Sequence, residues 1–383
     1  MSNKLPRRSF INRISLGLSS LFVIPFFGKS NSLENIEDTM DTSGNVDPIV
    51  RIRPLGFQWE TLDPFLFCVH HEDKYPEGNA EMGPDESLLS GRQIGQDFVV
   101  KDGWRMYHGS KVPGFPGHPH RGFETITVVR EGMVDHADSM GASGRYGNGD
   151  VQWMTAGKGV QHSEMFPLIS QEKGNPMELF QIWLNLPARS KMVAPHFKML
   201  WSEEIPILTE RDSSGKKTTI EVMAGSLSGK TPESPPPNSW AFPKENQVGV
   251  WNISMEQGAS WTLPKTEKGI NRTVYYYKGS HLTINSKSVN EYHAVDVLSD
   301  QSLELKSGDS PAKILILQGK PIGEPVVQHG PFVMNTREEI QQTFMDYQKD
   351  EFGGWPWPRR DQVHDRNKGR FAKHADGKLE ERG

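Results

Sequence analysis

The sequence predicts an all-β protein built as two tandem antiparallel barrels or jelly rolls, and three observations carry that reading. The 383 residues include 37 glycines and 27 prolines at moderate hydrophobic content. These residues punctuate short runs rich in Val, Ile, Thr and Tyr, a pattern that favours sheets and tight turns over a helical bundle. The runs recur through two successive stretches of similar character, and a chain of this length can bury two cores without a disulfide staple.

Taken in order, residues 1–32 read as an export signal. Arg7-Arg8-Ser9-Phe10-Ile11 resembles a twin-arginine motif, and the apolar run from Ile14 to Phe27 is broken by Ser, Gly and Pro25. That run is too short and interrupted for a transmembrane helix. Export to the periplasm by the twin-arginine machinery is therefore expected, although no Ala-x-Ala cleavage site follows; a cytoplasmic protein with a basic start is the alternative. Residues 33–49 are polar and turn-rich, as a linker would be.

The first barrel is expected over residues 50–186. It contains Pro64-Phe-Leu-Phe-Cys-Val69 and the alternating Glu124-Thr-Ile-Thr-Val-Val129, followed by Gly132, Gly141, Gly144, Gly147 and Gly149. Those glycines lie among strands and do not open a helix, so they read as turns and not as a phosphate cradle. The second barrel is expected over 187–335, with runs such as Val248-Gly-Val-Trp-Asn-Ile253, Arg272-Thr-Val-Tyr-Tyr-Tyr277 and Lys313-Ile-Leu-Ile-Leu-Gln318. Its Pro-rich Thr231–Pro237 stretch reads as an exposed loop. Over 336–383, Thr336-Arg-Glu-Glu339 is a capping box that should start a helix. Ile340, Phe344 and Tyr347 give that helix one apolar face, and Gly353-Gly354 should end it. Trp355-Pro-Trp357-Pro reads as an anchoring segment, and the charged Arg359–Gly383 tail as mobile.

Charge and cysteine content narrow the partners. A net charge of -5 gives no electrostatic reason to expect nucleic acid, which leaves small molecules as the expected partners of a monomer. Cys68 is the sole cysteine, which excludes an intramolecular disulfide and a thiolate-rich zinc site.

The stretch from Gly114 to Phe166 carries the chemistry. It holds His118-Pro-His120 near its start and His162-Ser-Glu164 near its end. On a strand, residues two apart share a face with Cα atoms roughly 6.5 to 7 Å apart, so each pair can aim two ligands at one ion. A lone His-x-His is a common structural feature. The second pair makes a mixed N/O site with positions left open for water, O₂ or substrate. Such a donor set accepts Fe(II), Mn(II), Ni(II), Cu(II) or Zn(II), and the residues do not choose among them. Glu124 and His136 complete no i, i+2 pair and read as neighbours of the site or surface groups. His70 and His71 face opposite ways and read as a solvated strand end.

Gly114–Thr125 (GFPGHPHRGFET), Gly149–Met165 (GDVQWMTAGKGVQHSEM) and Gly330–Ile340 (GPFVMNTREEI) resemble the pirin family of bicupins, over a span from about Val50 to at least Ile340. The resemblance implies two tandem cupin barrels of the double-stranded β-helix type, with a single metal in the N-terminal one. It implies His118, His120, His162 and Glu164 as ligands. In the wider cupin superfamily the carboxylate comes from the first motif, which would nominate Glu124; the pirin pattern takes it from the second. The resemblance further implies Fe(II) and quercetin 2,3-dioxygenase activity, with O₂ and a flavonol-like phenolic substrate, and Glu164 as both ligand and catalytic base. A non-catalytic, metal-dependent redox sensor or regulatory protein is the alternative.

Overall fold

The computed structural model describes residues 47–383 and the two-residue strand Phe27–Gly28. The twin-arginine stretch and most of the linker lie outside the described residues. No helix among the described residues is long and apolar enough to cross a membrane.

Phe27–Gly28 is β1, and Ile49–Pro54, Gln58–Trp59 and Phe65–Tyr75 are β2, β3 and β4. Then come Gly114–His120 (β5), Phe123–Glu131 (β6), Met133–Asp138 (β7), Ser143–Gly147 (β8), Val151–Thr155 (β9), Val160–Met165 (β10), Asn175–Asn185 (β11) and His196–Leu200 (β12). A second run holds Ile207–Arg211 (β13), Lys217–Ala224 (β14), Gly249–Met255 (β15), Ser260–Leu263 (β16) and Asn271–Lys278 (β17). It continues with Leu282–Ile284 (β18), Lys287–Val289 (β19), His293–Leu298 (β20), Leu303–Ser307 (β21) and Ala312–Gly319 (β22). Val326–His329 (β23), Phe332–Met334 (β24), the helix Arg337–Asp350 (α1), Arg370–Lys373 (β25) and Leu379–Arg382 (β26) complete the chain.

The two runs repeat one topology, as the composition and recurrence predict. The first barrel sets a sheet ordered β12-β9-β6-β11-β4-β3 against one ordered β26-β25-β8-β7-β10-β5. The second sets β13-β14-β15-β22-β17-β20-β2 against β16-β21-β18-β19. Pairing of β6 with β9 and β11 matches that of β17 with β20 and β22, and β5 with β10 matches β16 with β21.

Strand pairing crosses the expected 186/187 division in both directions. β2 joins the second barrel, with Ile52 opposite Val295, and β12 joins the first, with His196 opposite Thr155. Each large sheet would otherwise leave the edge beyond β9 or β20 unpaired. Periodicity marks a strand without saying which sheet's edge it covers.

Alternation along β6 sorts the core. Ile126 and Val128 face a cluster shared by both barrels, where Phe180, Ile182 and Leu184 meet Val250, Tyr275, Leu315 and Leu317. Val129, on the opposite face, joins Val134, Tyr146 and Leu179 inside the first barrel. The second barrel is filled by Trp251, Trp261, Leu263, Leu303, Leu305 and Ile316.

The capping box forms as predicted. The Thr336 hydroxyl accepts from the Glu339 backbone at 3.2 Å, and the Glu339 carboxylate accepts from the Thr336 backbone at 2.9 Å. Ile340, Phe344 and Tyr347 pack against Phe332 and Met334. The helix stops two residues before the glycines, at Glu351 in the left-handed conformation.

The tail departs from expectation, because it is folded. β25 pairs with β8, placing Phe371 opposite Arg145, and Phe371 and Ala372 are buried. Arg145, itself buried, donates to the Asp135 carboxylate at 2.7 and 2.8 Å and to the carbonyls of Asp365 and Lys368. Arg370 donates to Asp150 at 2.9 Å. Arg366 and Arg382 likewise donate to the Leu168 carbonyl at 3.0 Å and to Glu204 at 2.8 Å, specific contacts that a reading of charge density alone does not reveal. Trp357 anchors the segment as predicted, donating from Nε1 to the Asp138 carbonyl at 2.7 Å.

Candidate metal centre

β5 and β10 are antiparallel neighbours, with His118 opposite His162 and His120 opposite Val160. Residues facing one another across a ladder share a face, so the three imidazoles converge. Ring centroids lie 4.5 Å apart for His118 and His162, 4.9 Å for His120 and His162, and 4.7 Å for His118 and His120. One nitrogen from each ring lies within 4.8 Å of the others. The turn after His120 needs glycine at Gly122, where φ is +87° and a Cβ would sit 1.9 Å from the Val333 carbonyl oxygen. β24 thereby closes tightly over the end of β5.

Burial sets the charge state. It lowers the pKa of His118 to about 4, the Pro116 carbonyl partly offsetting it, and drives His120 and His162 well down, with the neighbouring imidazoles adding to the effect. All three are neutral at physiological pH, the form that carries a ligand lone pair. The Nδ1–H of His118 donates to the Pro116 carbonyl at 3.0 Å, which leaves Nε2 as its ligand atom. Neither ring nitrogen of His120 or His162 makes a hydrogen bond of good geometry. Buried nitrogens without partners are costly, and a divalent ion would satisfy the lone-pair nitrogen of each ring.

Glu164 lies beside this cluster, outside the group of three whose ligand atoms all converge within 4.8 Å. Its Oε2 is 3.8 Å from His162 Nε2 and accepts from Gln181 Nε2 at 2.6 Å. Oε1 accepts from the Thr127 hydroxyl at 2.8 Å and from Tyr146 at 3.5 Å. Burial raises the carboxyl above its ordinary value, and the hydrogen bond from Thr127 pulls the other way. Thr127, Tyr146 and Gln181 are the residues the sequence reading missed. Thr127 was reachable through the alternation of β6, but nothing in the sequence pairs Gln181 or Tyr146 with Glu164.

The remaining candidates fall apart spatially. His136 is buried with its ring 5.6 Å from that of His162, its Nε2 3.3 Å from Asp138, stacked on Phe197. Glu124 is fully buried, accepting from Thr155 at 2.6 Å and from Ser239 of the second barrel, so it is neither exposed nor turned to the imidazoles. Burial raises its pKa to about 7. His70 and His71 are buried mid-strand and not solvated. His70 meets Glu178 at 3.2 Å, and His71 meets Tyr107 at 2.8 Å. Their strand is covered on both sides, by the shared cluster and by the first barrel's core.

The donor set is three neutral imidazoles in the first barrel with a hydrogen-bonded carboxylate beside them, a combination that suits a single borderline divalent ion with open positions. Comparison with known proteins agrees. The family model described as Pirin matches residues 51–184, and that described as Pirin C-terminal cupin domain matches residues 250–353. A pirin-like protein of Caulobacter vibrioides is 38% identical over 246 residues, covering 62% of this chain and 80% of its own. Mouse pirin is 35% identical over 253 residues, covering 64% and 80%. A crystal structure of quercetin 2,3-dioxygenase from Acinetobacter baumannii superposes with a TM-score of 0.61 at 25% identity, over 80% of this chain and 96% of that one. With both barrels matched in order and the imidazoles gathered in the first, the chain belongs to the pirin family of bicupins.

Proposed function

We propose that this chain is a mononuclear, metal-dependent dioxygenase that acts with O₂ on a flavonol-like, quercetin-type phenol, with His118, His120 and His162 holding the ion. The observation that carries this reading is the set of partnerless, neutral imidazole nitrogens in the first barrel. The solved quercetin 2,3-dioxygenase that this fold resembles supports the choice of substrate class. Bound by these imidazoles, an ion such as Fe(II) would supply Lewis acidity and redox chemistry with O₂.

The residues around it do the rest. Glu164, held by Thr127 and Gln181, is a hydrogen-bonded carboxylate of raised proton affinity, suited to accept the proton of a substrate hydroxyl. The hydrogen bond from Gln181 occupies the oxygen nearest the imidazoles, and its release would let Glu164 serve as a fourth ligand as well as a base. Of the three histidines His118 alone is partly exposed, so substrate approaches on its side. Export in folded form through the twin-arginine machinery to the periplasm belongs to the same proposal. It would let the site fill with Fe(II) before meeting copper and zinc, which win on affinity.

Oxygen uptake with quercetin tests the reading. Wild type should consume O₂, and His162→Ala should fall to background. Equal rates in the two proteins would remove the dioxygenase assignment, and metal without oxygen uptake would leave the redox-sensor alternative.

A further inference from the structure

The second barrel has no ligand motif, yet its mouth is open. A cavity of about 530 Å³ is bounded by the loop after β14, the Pro264–Thr266 turn and the ends of β17 and β22. That volume lies within the range of small-molecule sites. Arg272, Val274 and Tyr276 alternate along β17, and the latter two belong to the second barrel's core, so Arg272 occupies the inward face at the cavity end.

Arg272 is 1% exposed and has no carboxylate partner among the described residues. Its Nε donates to Gln318 at 2.9 Å and its Nη1 to the Pro264 carbonyl at 2.9 Å. Of the five N–H groups of a guanidinium, these two bonds leave three for another acceptor. Burial lowers its pKa to about 10, so it remains a cation at neutral pH, with neutral hydrogen-bond acceptors and no counter-charge among the described residues. Lys244 and Lys265, both exposed, stand at the rim, and the one acid there, Glu233, is already paired with Lys198 at 3.0 Å. Trp251 and Leu227 supply apolar wall.

We propose that this cavity is a second ligand site, in which Arg272 anchors the carboxylate of a small organic acid while its apolar body lies against Trp251 and Leu227. A planar guanidinium with free N–H groups matches a carboxylate edge, and the apolar wall distinguishes an organic acid from a bare inorganic anion. The site is independent of the imidazoles and requires no metal.

Calorimetric titration of the full-length chain with benzoate tests this, with benzamide as the uncharged isostere and inorganic phosphate as the bare anion. Benzoate should bind one to one, and Arg272→Met should weaken it at least tenfold. Ser226→Trp, which fills the cavity from its exposed rim and leaves the core untouched, should do the same and covers the case in which Arg272→Met does not fold. Benzamide should bind at least tenfold more weakly, and His162→Ala should leave benzoate binding unchanged. Equal benzoate affinity in wild type and Ser226→Trp, no benzoate binding to wild type, or phosphate binding without benzoate binding would each overturn the assignment.

Discussion

Where β5 meets β10, His118 stands opposite His162; at the matching ladder of the second barrel, Leu263 stands opposite Leu303 and Trp261 opposite Leu305. The backbone pairing is the same and the inward side chains are not. In the first barrel they are imidazoles whose buried nitrogens lack partners, and in the second they close an apolar core. One barrel has an interior that could hold an ion, and the other fills the equivalent volume with hydrocarbon. On the proposed reading, metal binding is a property of which residues occupy a shared frame, and stability is expected to be concentrated in the second barrel.

The largest effect should separate the two ladders. His120→Ala should lower divalent-metal affinity more than about 100-fold, beyond the loss that outer-sphere partners cause, as read by competition with a chelator. Leu305→Ala should leave that affinity within about twofold while costing about 2–5 kcal/mol of stability in urea unfolding. A comparable loss of affinity from Leu305→Ala would break the comparison.

Next comes the tail, which only the first barrel wears. Arg145→Ala strands the buried Asp135 carboxylate and releases the carbonyls of His364, Asp365, Arg366 and Lys368, and should cost about 3–5 kcal/mol. Limited proteolysis should then cut within 359–383, where wild type resists. An uncut tail in the variant would show that β25 holds without its arginine.

The smallest effect lies at the seam. Glu178 on β11 meets His70 and reaches Lys313 on β22 of the other barrel. Burial works to raise this carboxyl, but His70 and Lys313 outweigh it and hold it at about 2. A folded pKa below the ordinary 4.5 means stability that is present above that value and lost as pH falls from about 4.5 toward 2. The contribution is at most about 3 kcal/mol, less after solvent screening. In metal-free protein, Glu178→Gln should be less stable than wild type at pH 6, and the gap should narrow by pH 3 and close only near pH 2. A gap that does not narrow between pH 6 and pH 3 would assign the effect to packing.

Much of this was legible in the sequence, for physical reasons. Two i, i+2 pairs on strands place side chains on one face, so His118, His120 and His162 could be picked out before any fold was known. The capping box at Thr336 is equally local. Glu164 was only half legible: its proximity follows from His162, but its engagement by Thr127 and Gln181 depends on β6 and β11, which arrive from elsewhere in the chain. The tail misled because charge density registers solvation and not the buried Arg145 that binds its carbonyls or the buried Asp150 that accepts from Arg370. Glu124 misled because a carboxylate in the first motif can face either side of β6, and alternation turns it to the seam.

The account's central claim is a single ion held by three imidazoles of the first barrel. Metal analysis of the freshly purified full-length chain, set beside His162→Ala, tests it most directly. The account predicts about one divalent ion per chain in wild type and none in the variant. Wild type without metal, or a variant that keeps its full complement, would contradict it.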